Sequence, residues 1–154
     1  MALDIPKYQE LFKQRDVRVQ KTDIVDTTTT KFLSFSGANF QGANPDTDRF
    51  HWDTDGYLSE AADQVMYGDI NLPHGSVIVA AIVWQGAGGN IQWALKRTDR
   101  EGNVDTMASA TGGVEDTSIS NPIVDNTNYS YFIQLWDMDV NDAVSGGSIS
   151  YREG

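Results

Sequence analysis

The sequence predicts an all-β fold: an antiparallel, jelly-roll-like sandwich of about eight strands with a short N-terminal helix or arm. The first observation is compositional, because 17 of the 22 acidic residues are Asp and the nine Asn outnumber the five Lys. Asp and Asn form turns, whereas Glu and Lys populate helix surfaces. The second observation is spacing: short apolar or alternating segments recur along the chain, and turn-forming residues bound each of them.

Size and charge narrow the class of protein further. The chain has 154 residues, 40% of them hydrophobic, which suits a single core. It contains no cysteine, so disulfides, zinc–thiolate sites and thiol nucleophiles are excluded. The formal net charge of −11 opposes binding to a phosphate backbone, and we expect no nucleic-acid partner.

The chain shows no sign of a membrane or secretory segment. Its longest uninterrupted apolar run is residues 77–84, far shorter than the ~20 residues that span a bilayer. The first residues lack the basic and apolar regions of a signal peptide. We therefore expect no membrane partner, no signal peptide and assembly in a cytoplasm.

Residues 1–31 form a predicted N-terminal arm, and residues 32–154 a predicted β-sandwich domain. The arm carries six basic and five acidic residues, whereas the remainder carries five and 17. Residues 4–13 predict a short helix, with Asp4 as its N-cap and Pro6 in its first turn. A helix this short needs a surface to lie on, either its own domain or a neighbouring subunit. Its apolar stripe is the predicted partner-binding surface: Ile5, Tyr8, Leu11 and Phe12.

The first strands of the sandwich follow the arm. Residues 27–35 begin with four β-branched Thr and continue in an inward-facing pattern, which predicts a strand. The loop at 36–48 is long for a plain connection. Phe50 and Trp52 lie two residues apart and share a face, and a hairpin turn follows at 53–56.

The later strands show the clearest patterns. Residues 76–85 are apolar on both faces, which predicts a central strand covered on both sides. Residues 91–95 alternate and predict a half-buried strand, with 104–110 returning beside it. Residues 129–136 alternate again, and an acidic loop at 137–147 precedes a final strand.

Catalysis finds little support in the sequence. The chain has two histidines, His51 and His74, and no G-x-S-x-G motif. A paired-carboxylate hydrolase is an alternative, because residues such as Asp137 and Asp139 could supply two carboxyl groups. Among 22 acidic residues, however, a close pair arises by chance. We expect a protein that is not an enzyme.

The acidic loop is a candidate structural calcium site. Asp137, Asp139 and Asp142 place carboxylates at short intervals, with Gly146 and Gly147 nearby. Calcium binds several oxygen ligands of this kind in turns. The alternative is a solvated acidic turn, and no other cofactor is expected.

Three aromatic residues lie off the predicted inward faces of the strands: Trp84, Phe132 and Trp136. Each is a candidate for a subunit interface or for a surface on which a sugar ring stacks. The strand at 76–85 needs cover on its second face, because exposed contiguous apolar surface is disfavoured on a monomer. This requirement predicts a homo-oligomer.

Five turn-and-strand motifs lie between residues 72 and 151: LPHGSVI at 72–78, WALKR at 93–97, NPIVDN at 121–126, YSYFI at 129–133 and GSISY at 147–151. On these motifs, about half of the chain resembles the jelly-roll β-sandwich module of phage and prokaryotic surface proteins. The resemblance implies a small sandwich of the kind found in virion decoration proteins and fibres, which are often trimeric.

The sequence-based hypothesis is therefore a non-enzymatic structural protein. We expect a subunit that decorates or reinforces a particle such as a phage capsid at the virion surface, and the resemblance implies that it is a homotrimer. The arm at residues 1–31 would dock on the capsid lattice. The alternative is a carbohydrate-binding or receptor-binding β-sandwich module, with a glycan as partner.

Overall fold

The computed structural model describes residues 29–154, except positions 45, 49, 55, 87 and 88. The predicted arm helix at residues 4–13 lies outside the described residues. The same holds for the side chains that were expected to bind a partner there: Ile5, Tyr8, Leu11 and Phe12.

Ten β-strands account for most of the regular structure of the described residues, and a single turn of 3₁₀ helix at Gly37–Asn39 is the other element. The strands are β1 (Lys31–Ser36), β2 (Gln41–Gly42), β3 (Phe50–Asp53), β4 (Gly56–Ser59), β5 (Gln64–Ile70), β6 (Val77–Gln85), β7 (Gln92–Asp99), β8 (Val104–Thr111), β9 (Tyr129–Met138) and β10 (Ala143–Arg152).

The strands form two five-stranded antiparallel sheets. In the first sheet β10 is central: β1 and β4 lie along one side of it, β3 pairs with β4, and β6 lies along the other side. The second sheet has the order β2-β5-β9-β7-β8. The predicted all-β, jelly-roll-like sandwich is confirmed. The strand number is ten because the loop between β1 and β5 contains three strands of two to four residues.

The hydrophobic core lies between the two sheets. Alternate residues of the long strands point inward, so that Trp93 and Leu95 of β7 and Ile133 and Leu135 of β9 are fully buried. The first sheet contributes residues such as Ile149, which is also fully buried. Burying one large apolar side chain stabilises the fold by about 1.5–3 kcal/mol, so these strands supply most of the driving force.

The predicted loop at 36–48 carries the chain from one sheet to the other. The Ser36 hydroxyl caps the 3₁₀ turn by accepting a hydrogen bond from the Ala38 backbone N–H at 3.2 Å. Phe40 is buried and packs edge-on against Phe35 of β1, with ring centroids 5.9 Å apart. β2 then pairs with β5, so this segment anchors the edge of the second sheet.

The strand predicted at 76–85 is observed as β6, but its expected position is wrong. β10 is its neighbour on one side, and the irregular segment 113–124 lies along its other edge. The Ala81 backbone exchanges two hydrogen bonds with Asp116, at 2.9 and 3.0 Å. Hydrogen bonds from this polar segment therefore protect the edge of β6, where a further strand was expected.

Candidate functional site

The outer face of the second sheet gathers aromatic and polar side chains. Tyr131, Ile133 and Leu135 of β9 are buried in the core, so the intervening residues point outward. Strand register places outward residues of β5 and β7 beside them. We call this surface the aromatic face and define it by six residues: Tyr67, Asp69, Lys96, Phe132, Gln134 and Trp136.

An aromatic pair lies at the centre of this face. Tyr67 is opposite Gln134 and therefore diagonal to Phe132, and the two rings contact edge-on with centroids 5.8 Å apart. Diagonal neighbours on adjacent strands are within reach of aromatic side chains. Tyr67 is 41% exposed and Phe132 is half-buried, so the pair presents ring surface to solvent.

Polar groups flank the aromatic pair on both sides. Phe132 is paired in register with Asp69 on β5 and with Lys96 on β7. The Lys96 ammonium donates a hydrogen bond to Gln134 Oε1 at 2.6 Å, which orients both side chains. The exposed Asp69 carboxylate receives no hydrogen bond from any described residue. Its own backbone carbonyl accepts from Asn39 Nδ2 at 2.9 Å, which fixes the position of this residue.

Three surface depressions meet at Asp69. One of about 430 Å³ includes Asn126 and Ser130 in its lining. A second of about 300 Å³ includes Gln41 and Tyr67. A third of about 490 Å³ lies towards β1 and the 3₁₀ turn. Asp69 lines all three depressions, and it is the one acidic residue that lines them in the part of the chain that the structure describes.

Trp136 lies on the same face, four residues along β9 from Phe132. It is half-buried and is paired in register with Gln92. The Gln92 amide donates to the Asn90 carbonyl at 3.0 Å and to the Thr111 hydroxyl at 3.2 Å. These bonds fix the polar side chain beside the indole.

The structure separates the three aromatic residues singled out in the sequence. Phe132 and Trp136 lie together on the aromatic face, whereas Trp84 lies on the outer face of the first sheet and is 42% exposed. Sequence reasoning missed Tyr67 and Asp69. The alternating pattern of residues 64–70 could have placed both of them on the exposed face of a strand, because Tyr67 and Asp69 are its exposed positions.

The acidic loop is organised by its own hydrogen bonds. Asp142 is buried, and its carboxylate accepts from the Asp139 backbone N–H at 2.9 Å. Asp137 is exposed and has a positive φ of 54°. Within the described ranges, no three His, Cys, Asp or Glu side chains are grouped so that they could hold a metal ion. Asp139 and Asp142 are therefore joined in a hydrogen-bonded turn, which Asp137 precedes.

Both histidines lie away from the aromatic face. His51 Nδ1 is 2.9 Å from Glu60 Oε1, and His74 Nδ1 accepts from the Asn126 backbone N–H at 3.1 Å. The Asn128 amide bonded to Asp125 is the main cause that lowers the pKa of that carboxyl from its usual value, in a turn near His74. Neither histidine lines one of the three depressions that meet at Asp69.

Fold and site together describe a small antiparallel β-sandwich with an exposed aromatic and polar sheet face. No family model matches the sequence, and no curated protein matches it. Among solved structures, the chain is similar to TmCBM61, a protein solved in complex with β-1,4-galactotriose. The two share 15% sequence identity with a TM-score of 0.35, and the match covers 82% of this chain and 90% of that chain. No helix in the described part of the chain is long and apolar enough to cross a membrane.

Proposed function

We propose that this protein is a non-enzymatic carbohydrate-binding β-sandwich and that the aromatic face is its binding surface. The observation that carries the proposal is the exposed Tyr67–Phe132 pair, flanked by the unpaired Asp69 carboxylate and by the Lys96–Gln134 hydrogen bond. The proposal develops the alternative that the sequence offered: of the three candidate aromatics it keeps Phe132 and Trp136 and leaves out Trp84, which lies on the other sheet.

The chemistry of a sugar ring matches this arrangement. A pyranose has apolar C–H surfaces and a rim of hydroxyl groups that both donate and accept hydrogen bonds. Aromatic rings offer a large, rigid contact surface to the apolar C–H faces of the sugar. The entropy cost of this contact is low, because an aromatic side chain has few rotatable bonds to fix. A carboxylate accepts from hydroxyls, while an ammonium and an amide N–H₂ donate to them. All of these groups lie within one or two strand spacings of Phe132.

Charge and composition favour binding of a glycan over other ligand classes. With a net charge of −11, the protein repels phosphate backbones. The lining of the depressions beside the aromatic pair includes Asn39, Gln41, Asn71 and Asn126, whose amides suit a hydroxyl-rich ligand better than an apolar peptide.

The same geometry supports binding without hydrolysis. Glycoside hydrolysis needs two carboxyl groups, about 5–10 Å apart, on either side of the bond that breaks. Asp69 stands alone among the described residues that line the depressions. It can accept hydrogen bonds from hydroxyls, and it has no carboxyl partner there to act as acid or nucleophile.

The direct test is an array of plant, bacterial and animal glycans, followed by calorimetry with the best oligosaccharide. We expect Tyr67→Ala and Phe132→Ala to weaken binding roughly tenfold or more, as truncation of central aromatic contacts commonly does. Trp84→Ala is the matched control, because this aromatic is comparably exposed on the opposite sheet. Binding that Trp84→Ala abolishes and Tyr67→Ala leaves intact would refute the assignment of the face.

A second candidate function is a subunit of an oligomeric surface assembly, such as the virion decoration predicted from the sequence. The observation that favours it is a charge-free patch on the outer face of the first sheet, where Phe32 is 69% exposed and Trp84 is 42% exposed. The outward residues between these two are uncharged: Ser34, Ile82 and Ser148 are exposed or half-buried, and Ala80, Gly146 and Ser150 are buried.

Charge explains why this patch would meet a second copy. Two chains that each carry −11 repel one another across their acidic surfaces, and an uncharged patch is where that repulsion is weakest. Light scattering tests this function: we expect a homotrimer that Trp84→Ser converts towards monomer. A strictly monomeric protein at high concentration contradicts it. Co-sedimentation with capsids, with and without residues 1–15, tests the proposed lattice partner.

A further inference from the structure

The aromatic face contains a second ring surface apart from the central pair. Phe132 and Trp136 point to the same side of β9 and are four residues apart. At a rise of about 3.3 Å per residue, their Cα atoms are separated by about 13 Å along the strand. A single pyranose ring does not span this distance.

Polar groups fill the interval between the two ring surfaces. Gln134 lies midway on β9, and the Lys96 ammonium is bonded to its Oε1 at 2.6 Å. This bond leaves the Gln134 amide nitrogen and the other ammonium N–H groups free to donate to a ligand. Ala94 lies beside Gln134 on β7 and is buried, so it adds no exposed surface to this interval.

The line of outward residues continues past Phe132 to Ser130. Ser130 lines the depression of about 430 Å³, together with Asn71 and Asn126. The Asn126 amide donates to the Leu72 carbonyl at 2.8 Å, so the wall of this depression is fixed. Along β9, therefore, one ring surface, a polar interval, a second ring surface and a polar depression follow in order.

We infer that the ligand is an extended oligosaccharide of three or more sugar residues that lies along β9. One sugar stacks at Tyr67 and Phe132, another stacks at Trp136, and the intervening hydroxyls meet Gln134 and Lys96. The inference rests on the proposed function. It goes beyond that function by assigning Trp136 a role that depends on the length of the ligand.

Chain-length dependence tests the inference. The probes are mono-, di-, tri- and hexasaccharides of the gluco-, manno- and galacto- series, measured by calorimetry against the full chain. We expect the affinity of the unmodified protein to rise from the disaccharide to the hexasaccharide. Trp136→Ala should weaken hexasaccharide binding about tenfold, or about 1.4 kcal/mol, and leave disaccharide binding unchanged. Phe132→Ala should weaken both.

The outcomes separate the two proposals. Equal affinity for disaccharide and hexasaccharide, or equal weakening of both by Trp136→Ala, overturns the extended ligand while the binding function stands. Absence of binding by every probe overturns both. Circular dichroism checks the fold of each variant. Because Trp136 is half-buried, Trp136→Leu keeps apolar bulk in its place and repeats the test if the alanine variant fails to fold.

Discussion

Asp69→Asn isolates the electrostatic contribution of the aromatic face. The Asp69 carboxylate is exposed and receives no hydrogen bond from the described residues, so it contributes little to folding. We expect the free energy of unfolding to change by less than about 0.5 kcal/mol. Asn has nearly the same shape but no charge. If the proposed function is right, this substitution weakens the hydrogen bonds that Asp69 accepts from sugar hydroxyls.

The size of the effect follows from the difference between charged and neutral hydrogen bonds. A bond to a charged group contributes about 1.5–3 kcal/mol and a neutral one about 0.5–1.5 kcal/mol. Because the site is open to water, we take the lower part of each range. The difference is then about 1 kcal/mol, which corresponds to roughly fivefold weaker binding.

Asp105→Asn is the matched control for this measurement. Asp105 lies on β8 of the same sheet and pairs with Arg97 at 3.0 Å, on the opposite side from Asp69's face. The Asp105→Asn substitution produces the same change in net charge, and it removes an ion pair in which Asp105 is exposed and Arg97 is 13% exposed. Circular dichroism and thermal unfolding check that this variant keeps its fold. Calorimetry should show weaker glycan binding in Asp69→Asn alone. Equal weakening in both variants would mean that net charge acts at a distance, and the local reasoning would be refuted.

Two further predictions concern stability. In Gly147→Ala the new Cβ would collide with the Phe35 ring and lie 2.5 Å from the Ile82 carbonyl oxygen. We expect the free energy of unfolding to fall by about 1–3 kcal/mol and the melting temperature, measured by calorimetry, to fall by roughly 3–10 °C. An unchanged melting temperature contradicts this packing. The Asn103 amide bonded to Asp99 lowers the pKa of that carboxyl below its ordinary value of 3.8, so its contribution to stability is present above that pH and is lost as the pH falls below it. Denaturant unfolding measured between neutral pH and about pH 3 should therefore show a smaller decrease in the free energy of unfolding for Asp99→Asn than for the unmodified protein. An identical pH dependence in the two proteins would mean that the Asp99 carboxylate does not stabilise this turn.

The fold class and two of the six residues of the aromatic face could be predicted from the sequence. Alternation along β9 separates Phe132 and Trp136 from the core residues, because successive side chains of a strand point to opposite faces. Tyr67 and Asp69 could not be placed beside them in the same way. Their position depends on the register between β5 and β9, which pairs residues more than sixty positions apart in the chain.

The edge of β6 shows a second limit of sequence patterns. An apolar strand predicts neighbours on both sides, and it does not say whether they are strands or irregular backbone. The polar segment 113–124 supplies hydrogen bonds to β6 without a regular strand pattern of its own. Likewise, the spacing of acids at 137–142 is compatible with an ion site, although it favours a solvated acidic turn. The Asp142 carboxylate accepts from the Asp139 N–H, which is a contact that no spacing rule identifies.

The most direct test of the account is a nuclear magnetic resonance titration of the isotopically labelled full chain with the best oligosaccharide from the array. If the aromatic face binds the glycan, the largest shift changes map to Tyr67, Asp69, Phe132 and Gln134, and they extend to Trp136 as the oligosaccharide lengthens. Shift changes centred on Trp84, or a spectrum that no glycan alters, would contradict it.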